Sequence, residues 1–476
     1  MNRNLKILGV FYLAIMSGIV IYSISYPYII VDKSIASTEP KVAAFYYNWY
    51  ANDTDFSQTN PYLIEDDSEW KHWHTCNNDD FPTTGCSTFT PRFGWYDSSD
   101  PKIMETHLLE AEDAGIDAFI CSYWGNASFE FRNIKNMVRA ARYLNSNVSI
   151  SCYFESNMVD VSVIGIEAAQ IHIMEQFRAI YDFMTNDTFS DYLWYEDGKP
   201  VLFLYVVQTV PAEIWTNVVS TLKNEGKEFF LVADRPDSGV DYNQNFNGIH
   251  QYDVYAPTYG GDYMSTFLNH KIVANDYSHL FIAGVAPGYD DHLVRDGNPP
   301  LLRDAGHTYQ NSWESAIALN PNWITITSWN EWHEGTEVEP SIENEDLALN
   351  QTKEFAFEFK SGVYTELQPR SFYFGIIMHS VIALVVTWAI LMLQGFWNRK
   401  ILDVNKWLKL IWALFCLIVG IAAIGYFTVA EVILRDPFEI SSTYWMYLMP
   451  VSVIFGLSSF RMLSDLREIG FKRPDS

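Results

Sequence analysis

The sequence predicts an α/β chain: a (β/α)8 barrel carrying an N-terminal membrane anchor and a C-terminal region of three transmembrane helices. Three observations carry that expectation. Eight short β-branched or aromatic runs alternate with amphipathic stretches over about 330 residues, successive runs end in the same kinds of polar and aromatic residue, and four long apolar stretches lie outside that span.

The first apolar stretch, residues 5–31, is nearly uncharged and follows Arg3, with Lys6 near its start. No small-residue cleavage site follows it at short distance, so residues 1–35 read as a signal anchor. The strand runs come next, at 42–47, 117–122, 148–154, 201–206, 229–233, 248–256, 280–285 and 323–328. Amphipathic segments separate most of them. In "DPKIMETHLLEAEDAG", Asp100 caps a helix, Pro101 takes its first turn and Gly115 ends it. "VIGIEAAQIHIMEQFRAIYDFMTN", "VPAEIWTNVVSTLKNEG" and "GHTYQNSWESAIALNPN" repeat the theme, and "ENEDLALNQTKEFAFEFKSG" supplies a last helix. The structural alternative is a doubly wound open sheet. Residues 51–99, rich in Asp, Asn, Thr and aromatics, form a long loop after the first strand, on the face where barrels build active sites. The barrel domain spans 36–370.

Three further apolar spans occupy about 373–397, 407–430 and 444–463, within a last domain, 371–476. Arg399, Lys400, Lys406 and Lys409 fill the first hairpin, the second is acidic, and the tail carries Arg461, Arg467, Lys472 and Arg473. The positive-inside rule then puts both termini in the cytoplasm and the barrel outside, at the cell surface or in a secretory lumen. The membrane bilayer is one partner.

A formal charge of −27 argues against nucleic acid, which needs a basic patch. Cys76 and Cys86 flank a short polar segment that can close as a disulfide in an oxidising compartment, whereas Cys121 and Cys152 sit in apolar strand runs. No cysteine or histidine pair has zinc-ligand spacing, and the acidic patches lack the spaced calcium-loop pattern, so no metal or cofactor is expected.

Catalytic groups in a barrel project from the C-terminal ends of its strands. The eighth run leads directly into "SWNEWHEGTEVEP", and the other strand ends carry "FYYNWY", "SYWGN", "CYFES", "YVVQ", "YDVYAPTYGG" and "APGYDDH". These describe a polar, aromatic-walled bowl. Glycoside cleavage typically uses two carboxyl groups, and Glu331 and Glu334 are the natural pair. Three residues apart, they face one ligand only if the backbone turns sharply between or beside them. Glu337 and Glu339 read equally well as caps or ion-pair partners.

"SWNEWHEGTEVEP", together with "VAAFYYNWY", "KHWH", "AGIDAFICSYWG", "GKPVLFLY" and "APGYDD", resembles glycoside hydrolase family 99, the endo-α-mannosidase and endo-α-mannanase family, over roughly residues 41–362. The resemblance implies a retaining, endo-acting enzyme that cleaves α-mannosidic linkages inside an oligosaccharide or polysaccharide. It implies that Glu331 deprotonates the sugar's own 2-hydroxyl to give a 1,2-anhydro sugar, and that Glu334 protonates the leaving group and then activates water. Candidate sugar-contacting residues are Tyr47, Tyr50, His72, Trp73, Trp124, Glu155, Tyr255, Asn330 and His333. Glu337 departs from the family pattern, where Gln is commoner, and adds a charge expected to raise a neighbouring carboxyl's pKa. Two other readings stand beside hydrolysis: glycosyl transfer in glycan assembly, and a glycan-binding receptor without activity.

Overall fold

The computed structural model describes residues 39–54, 71–73, 85–234, 244–255, 262–295 and 299–362, all within one compact unit. The expected anchor, the three C-terminal spans and Cys76 lie outside these residues. Among the described residues no helix is long and apolar enough to cross a membrane.

Among the described residues eight parallel strands form the barrel, β1 (Lys41–Tyr46), β2 (Ala118–Tyr123), β3 (Ser149–Phe154), β4 (Lys199–Leu204), β5 (Phe230–Asp234), β6 (Gly248–His250), β7 (Leu280–Val285) and β8 (Trp323–Ile326), and a two-residue strand, Tyr195–Glu196, pairs antiparallel with β4. Each barrel strand pairs with the next, and β8 returns to β1 with Trp323 opposite Lys41. The circle is closed, which excludes the open sheet. Side chains alternate between two cores, as a pleated strand requires. Val42, Ala44 and Tyr46 join the helix residues Met104 and Leu108 in the outer core, while Ala43 and Phe45 point into the barrel with Tyr153, Phe203 and Trp323. Phe45 lies 4.7 Å from the Tyr153 ring and 5.1 Å from that of Tyr252, so aromatic packing fills the lumen below the rim.

Helices cover the outside: α1 (Pro101–Asp113), α2 (Phe129–Leu144), α3 (Ile166–Met184), α4 (Ala212–Asn224), α5 (Tyr263–Tyr277), α6 (His307–Ala318) and α7 (Leu347–Ser361). The predicted punctuation of α1 holds: Asp100 Oδ1 accepts from the Lys102 amide, Pro101 begins the helix, and Gly115 follows it with φ 76°. Departures from the expected bounds have local causes. The sixth strand stops at His250 rather than 256, because the Tyr252 amide donates to Asp234 Oδ1 instead of a ladder carbonyl. β4 runs 199–204 rather than 201–206, ending before Val206, which adopts φ 34°. β8 gives up its last two expected residues to a loop in which the Ser328 amide donates to the Thr336 carbonyl.

Candidate active site

The segment after β8 folds back on itself within a few residues. Ser328 is the pivot: its Oγ accepts from the Glu331 amide at 2.7 Å, and its amide binds the Thr336 carbonyl at 2.9 Å. The Glu334 amide returns to the Glu331 carbonyl, and Gly335 turns the chain at φ 61°. A Cβ at Gly335 would sit 3.2 Å from the Asp290 backbone, so glycine suits this turn twice over. This is the sharp turn that two carboxylates three residues apart require.

A buried polar network holds the turn from below. Tyr46 Oη meets His107 Nδ1 at 3.0 Å, and His107 Nε2 meets Glu339 Oε1 at 3.0 Å. Glu339 Oε2 accepts from Tyr96 Oη at 2.7 Å and from Trp332 Nε1 at 3.1 Å. Asn330 closes the mesh, its Oδ1 accepting from the Tyr47 amide and its Nδ2 donating to the Tyr47 carbonyl and Tyr96 Oη. Glu339 thus anchors the loop that carries the two catalytic candidates. Glu339→Ala strands the Tyr96 hydroxyl and His107 Nε2, while Trp332 Nε1 keeps Tyr96 Oη as an acceptor, and is expected to cost about 3 kcal/mol of unfolding free energy, read from chemical denaturation.

Glu331 and Glu334 meet different surroundings. Glu331 is 3% exposed, and its Oε2 has no hydrogen-bond partner. Burial, then the Glu334 charge, push its carboxyl well above the usual range, against opposing pulls from Arg295 and the His333 backbone and with a smaller push from Glu155. Glu334 is fully engaged: Oε2 accepts from Tyr252 Oη at 3.2 Å and Tyr255 Oη at 3.1 Å, and Oε1 from Arg295 Nη1 at 2.7 Å. His333 lies beside Glu331, with Nδ1 at 3.6 Å from Oε1. Burial pushes its pKa down to about 4, so the ring is neutral near neutral pH. Its Nε2 lies 2.9 Å from the His72 carbonyl, which only accepts, so Nε2 carries the proton and Nδ1 offers Glu331 a lone pair.

The remaining candidates divide by depth. Tyr47 and Tyr255 are 6% exposed at the rim, Trp124 is 36% exposed, and Trp49 stacks on His72 at 4.5 Å. Tyr50 and Trp73 are fully buried and stack on each other at 3.9 Å; Tyr50 Oη accepts from the Trp332 amide and Trp73 Nε1 donates to the Tyr96 carbonyl. These two, with Asn330, spend their polar atoms inside the protein. Tyr252, Arg295, Trp49 and Ser122 were not singled out from the sequence. Tyr252 and Arg295 lie within or just after strand-end segments, so distance along the chain from the strand end was the available signal. Cys86 is buried and disulfide-bonded. Among the described residues no group of His, Cys, Asp or Glu side chains gathers to hold a metal.

Glu337 has its own cationic partner. Its Oε1 accepts from Arg303 Nη2 at 2.5 Å, and burial pushes its pKa up to about 7, with Glu339 and Glu343 as the nearby acidic contributors. Glu331 feels Glu334, Glu155 and Arg295 instead. Arg303 thus pairs with the extra charge where it stands.

Glu155 links the pair to the third strand. Ser122 Oγ donates to its Oε1 at 2.7 Å and accepts from Trp124 Nε1 at 2.9 Å. Burial foremost, and then Glu334 and Asp234, push the Glu155 carboxyl from 4.5 up to about 8. In that interval the folded state holds a proton the unfolded chain has released, so this group's contribution to stability is fully present below pH 4.5 and is lost as pH rises through 8. Glu155→Gln should remove a pH-dependent loss of roughly 3 to 5 kcal/mol between those limits, seen as a flatter dependence of Tm on pH.

Residues 38–363 match the profile of "Glycosyl hydrolase family 99". The chain is 25% identical to the mouse "Glycoprotein endo-alpha-1,2-mannosidase", over 63% of this chain and 67% of that protein, and 26% identical to its rat counterpart, over 63% and 68%. The solved GH99 endo-α-mannosidase from Bacteroides thetaiotaomicron superposes with a TM-score of 0.56 at 21% identity, covering 68% of this chain and 98% of that one.

Proposed function

The chain belongs to glycosyl hydrolase family 99 and is a glycoside hydrolase, and from that premise we propose that it cleaves internal α-mannosidic linkages of a glycan with retention, through a 1,2-anhydro sugar. The observation that carries this reading is the pairing of a buried carboxyl with a free oxygen, Glu331, and a carboxylate held by two phenols and an arginine, Glu334, on one turn at the barrel rim.

Glu331 takes the proton of the sugar's 2-hydroxyl through its uncommitted Oε2. The 2-oxygen then attacks the anomeric carbon of its own ring, and Glu334 gives a proton to the departing glycosidic oxygen. In the second half Glu334 takes a proton from water as the water opens the three-membered ring, and Glu331 returns a proton to the 2-oxygen. Neither carboxylate bonds to carbon, so the separation rule for nucleophile and acid does not constrain the pair. Aromatic rims at Trp49, Trp124 and Tyr255 offer faces for neighbouring sugars. The apolar stretches at both ends of the sequence and the disulfide at Cys86 support a membrane-tethered enzyme acting in an oxidising lumen or at the cell surface.

Incubation with a panel of internal α-mannosides and α-glucosides, followed by product sizing, tests this. Hydrolysis yields a new reducing end from the mannosides alone, abolished in Glu334→Gln. Product that forms only when a sugar acceptor is added contradicts hydrolysis in favour of transfer.

A further inference from the structure

Both oxygens of the residue assigned as the acid are already taken. Glu331, assigned as the base, keeps a free oxygen, while Glu334, assigned as the acid, is ion-paired at 2.7 Å with Arg295. The guanidinium occupies the oxygen on which an acid would carry its proton. Something must release it before it can protonate a leaving group.

The segment after β7 contains the means. Asp291 is 1% exposed, and neither of its carboxylate oxygens accepts a hydrogen bond. The same Arg295 Nη1 that binds Glu334 lies 3.5 Å from Asp291 Oδ2. Arg295 and Asp291 are four residues apart on one turn, fixed by the bond from the Arg295 amide to the Asp291 carbonyl. The Arg295 side chain is 57% exposed, so it has room to turn. A buried anion without a hydrogen bond is costly, and one side-chain rotation completes it.

We propose that Arg295 is a positioning residue that clamps Glu334 in the empty enzyme and transfers to Asp291 when a sugar occupies the rim, freeing Glu334 to carry the proton. The step forms and breaks no covalent bond: the guanidinium exchanges one carboxylate for another, and the pair's single proton passes from Glu331 to Glu334 as Glu331 becomes the base. Other groups acting on Glu334 are Tyr47 at the end of β1, Glu155 after β3, Tyr252 and Tyr255 after β6, and Glu331 on its own turn. Only Arg295 is both cationic and supplied with an alternative anion.

The inference rests on the acid role proposed for Glu334, and the test separates the two. The pH dependence of kcat/KM reports the empty enzyme and that of kcat the complex. In Arg295→Met the basic limb of kcat/KM should move up by about one to three units, while the basic limb of kcat stays in place. Asp291→Asn should do the reverse, with the kcat/KM limb unmoved, kcat about tenfold lower and its basic limb shifted down, because the arginine stays on Glu334. Equal shifts of both profiles in Arg295→Met, or no shift in either, overturn the exchange. If Glu334→Gln is inactive on sugar leaving groups while Arg295→Met moves neither profile, the exchange alone fails. If Glu334→Gln retains activity on sugar leaving groups, the acid assignment beneath it fails.

Discussion

Glu331→Gln is expected to lower kcat on an internal α-mannoside by about 10³- to 10⁴-fold, or roughly 4 to 5.5 kcal/mol of barrier, with KM nearly unchanged. Glutamine fills the same volume, and the turn survives because Ser328 grips the Glu331 amide rather than its side chain. What is lost is an oxygen able to take a proton. No neighbour replaces it: the Glu334 oxygens are taken by Tyr252, Tyr255 and Arg295, and Glu155 is bonded to Ser122. The base role proposed for Glu331 belongs to the chemical step, so the loss is expected to fall on kcat. Initial rates beside an unchanged unfolding midpoint check it; more than a tenth of wild-type turnover contradicts it.

Glu334→Gln should show a loss that depends on what departs. With a sugar as leaving group the rate is expected to fall by about 10³-fold, because an alkoxide leaves poorly without a proton. With fluoride, which needs no proton, cleavage of the bond to the anomeric carbon should continue at a rate near wild type, and slow ring opening then limits turnover. The amide oxygen still accepts from Tyr252 and Tyr255, so the rim keeps its shape. A burst of fluoride release followed by slow turnover is the expected trace. An equal loss on both substrates contradicts the acid assignment.

The barrel was legible because its strands are short, β-branched and evenly repeated, and a parallel strand buried on both faces announces itself by composition. All eight strands lie where the sequence placed them, to within a few residues at most ends. The sixth is the exception: aromatic and β-branched residues continue past His250, but the Asp234 carboxylate takes the Tyr252 amide out of the ladder, an event between two strands that neither reveals alone. The candidate site was legible where it is contiguous. "NEWHEGT" held both carboxylates and the glycine that turns them. Residues that complete the site come from other turns: Tyr252 from after β6, Arg295 from four residues past Asp291, and His107 from the middle of α1, where its spacing marks it as one more inward-facing helix residue. Asn330, Tyr50 and Trp73 show the converse. Their chemistry suits sugar binding, and their polar atoms also bond within the protein around the turn.

The central claim is that Glu331 works on the sugar's own hydroxyl while Glu334 works on the leaving oxygen, so the anomeric carbon is displaced twice. Proton NMR of the first product released by the full chain from an internal α-mannoside reads this directly. The account predicts a reducing-end oligosaccharide that appears as the α anomer and only later mutarotates. A β anomer appearing first would mean a single displacement by water, with Glu331 acting on water rather than on the sugar, and would contradict it.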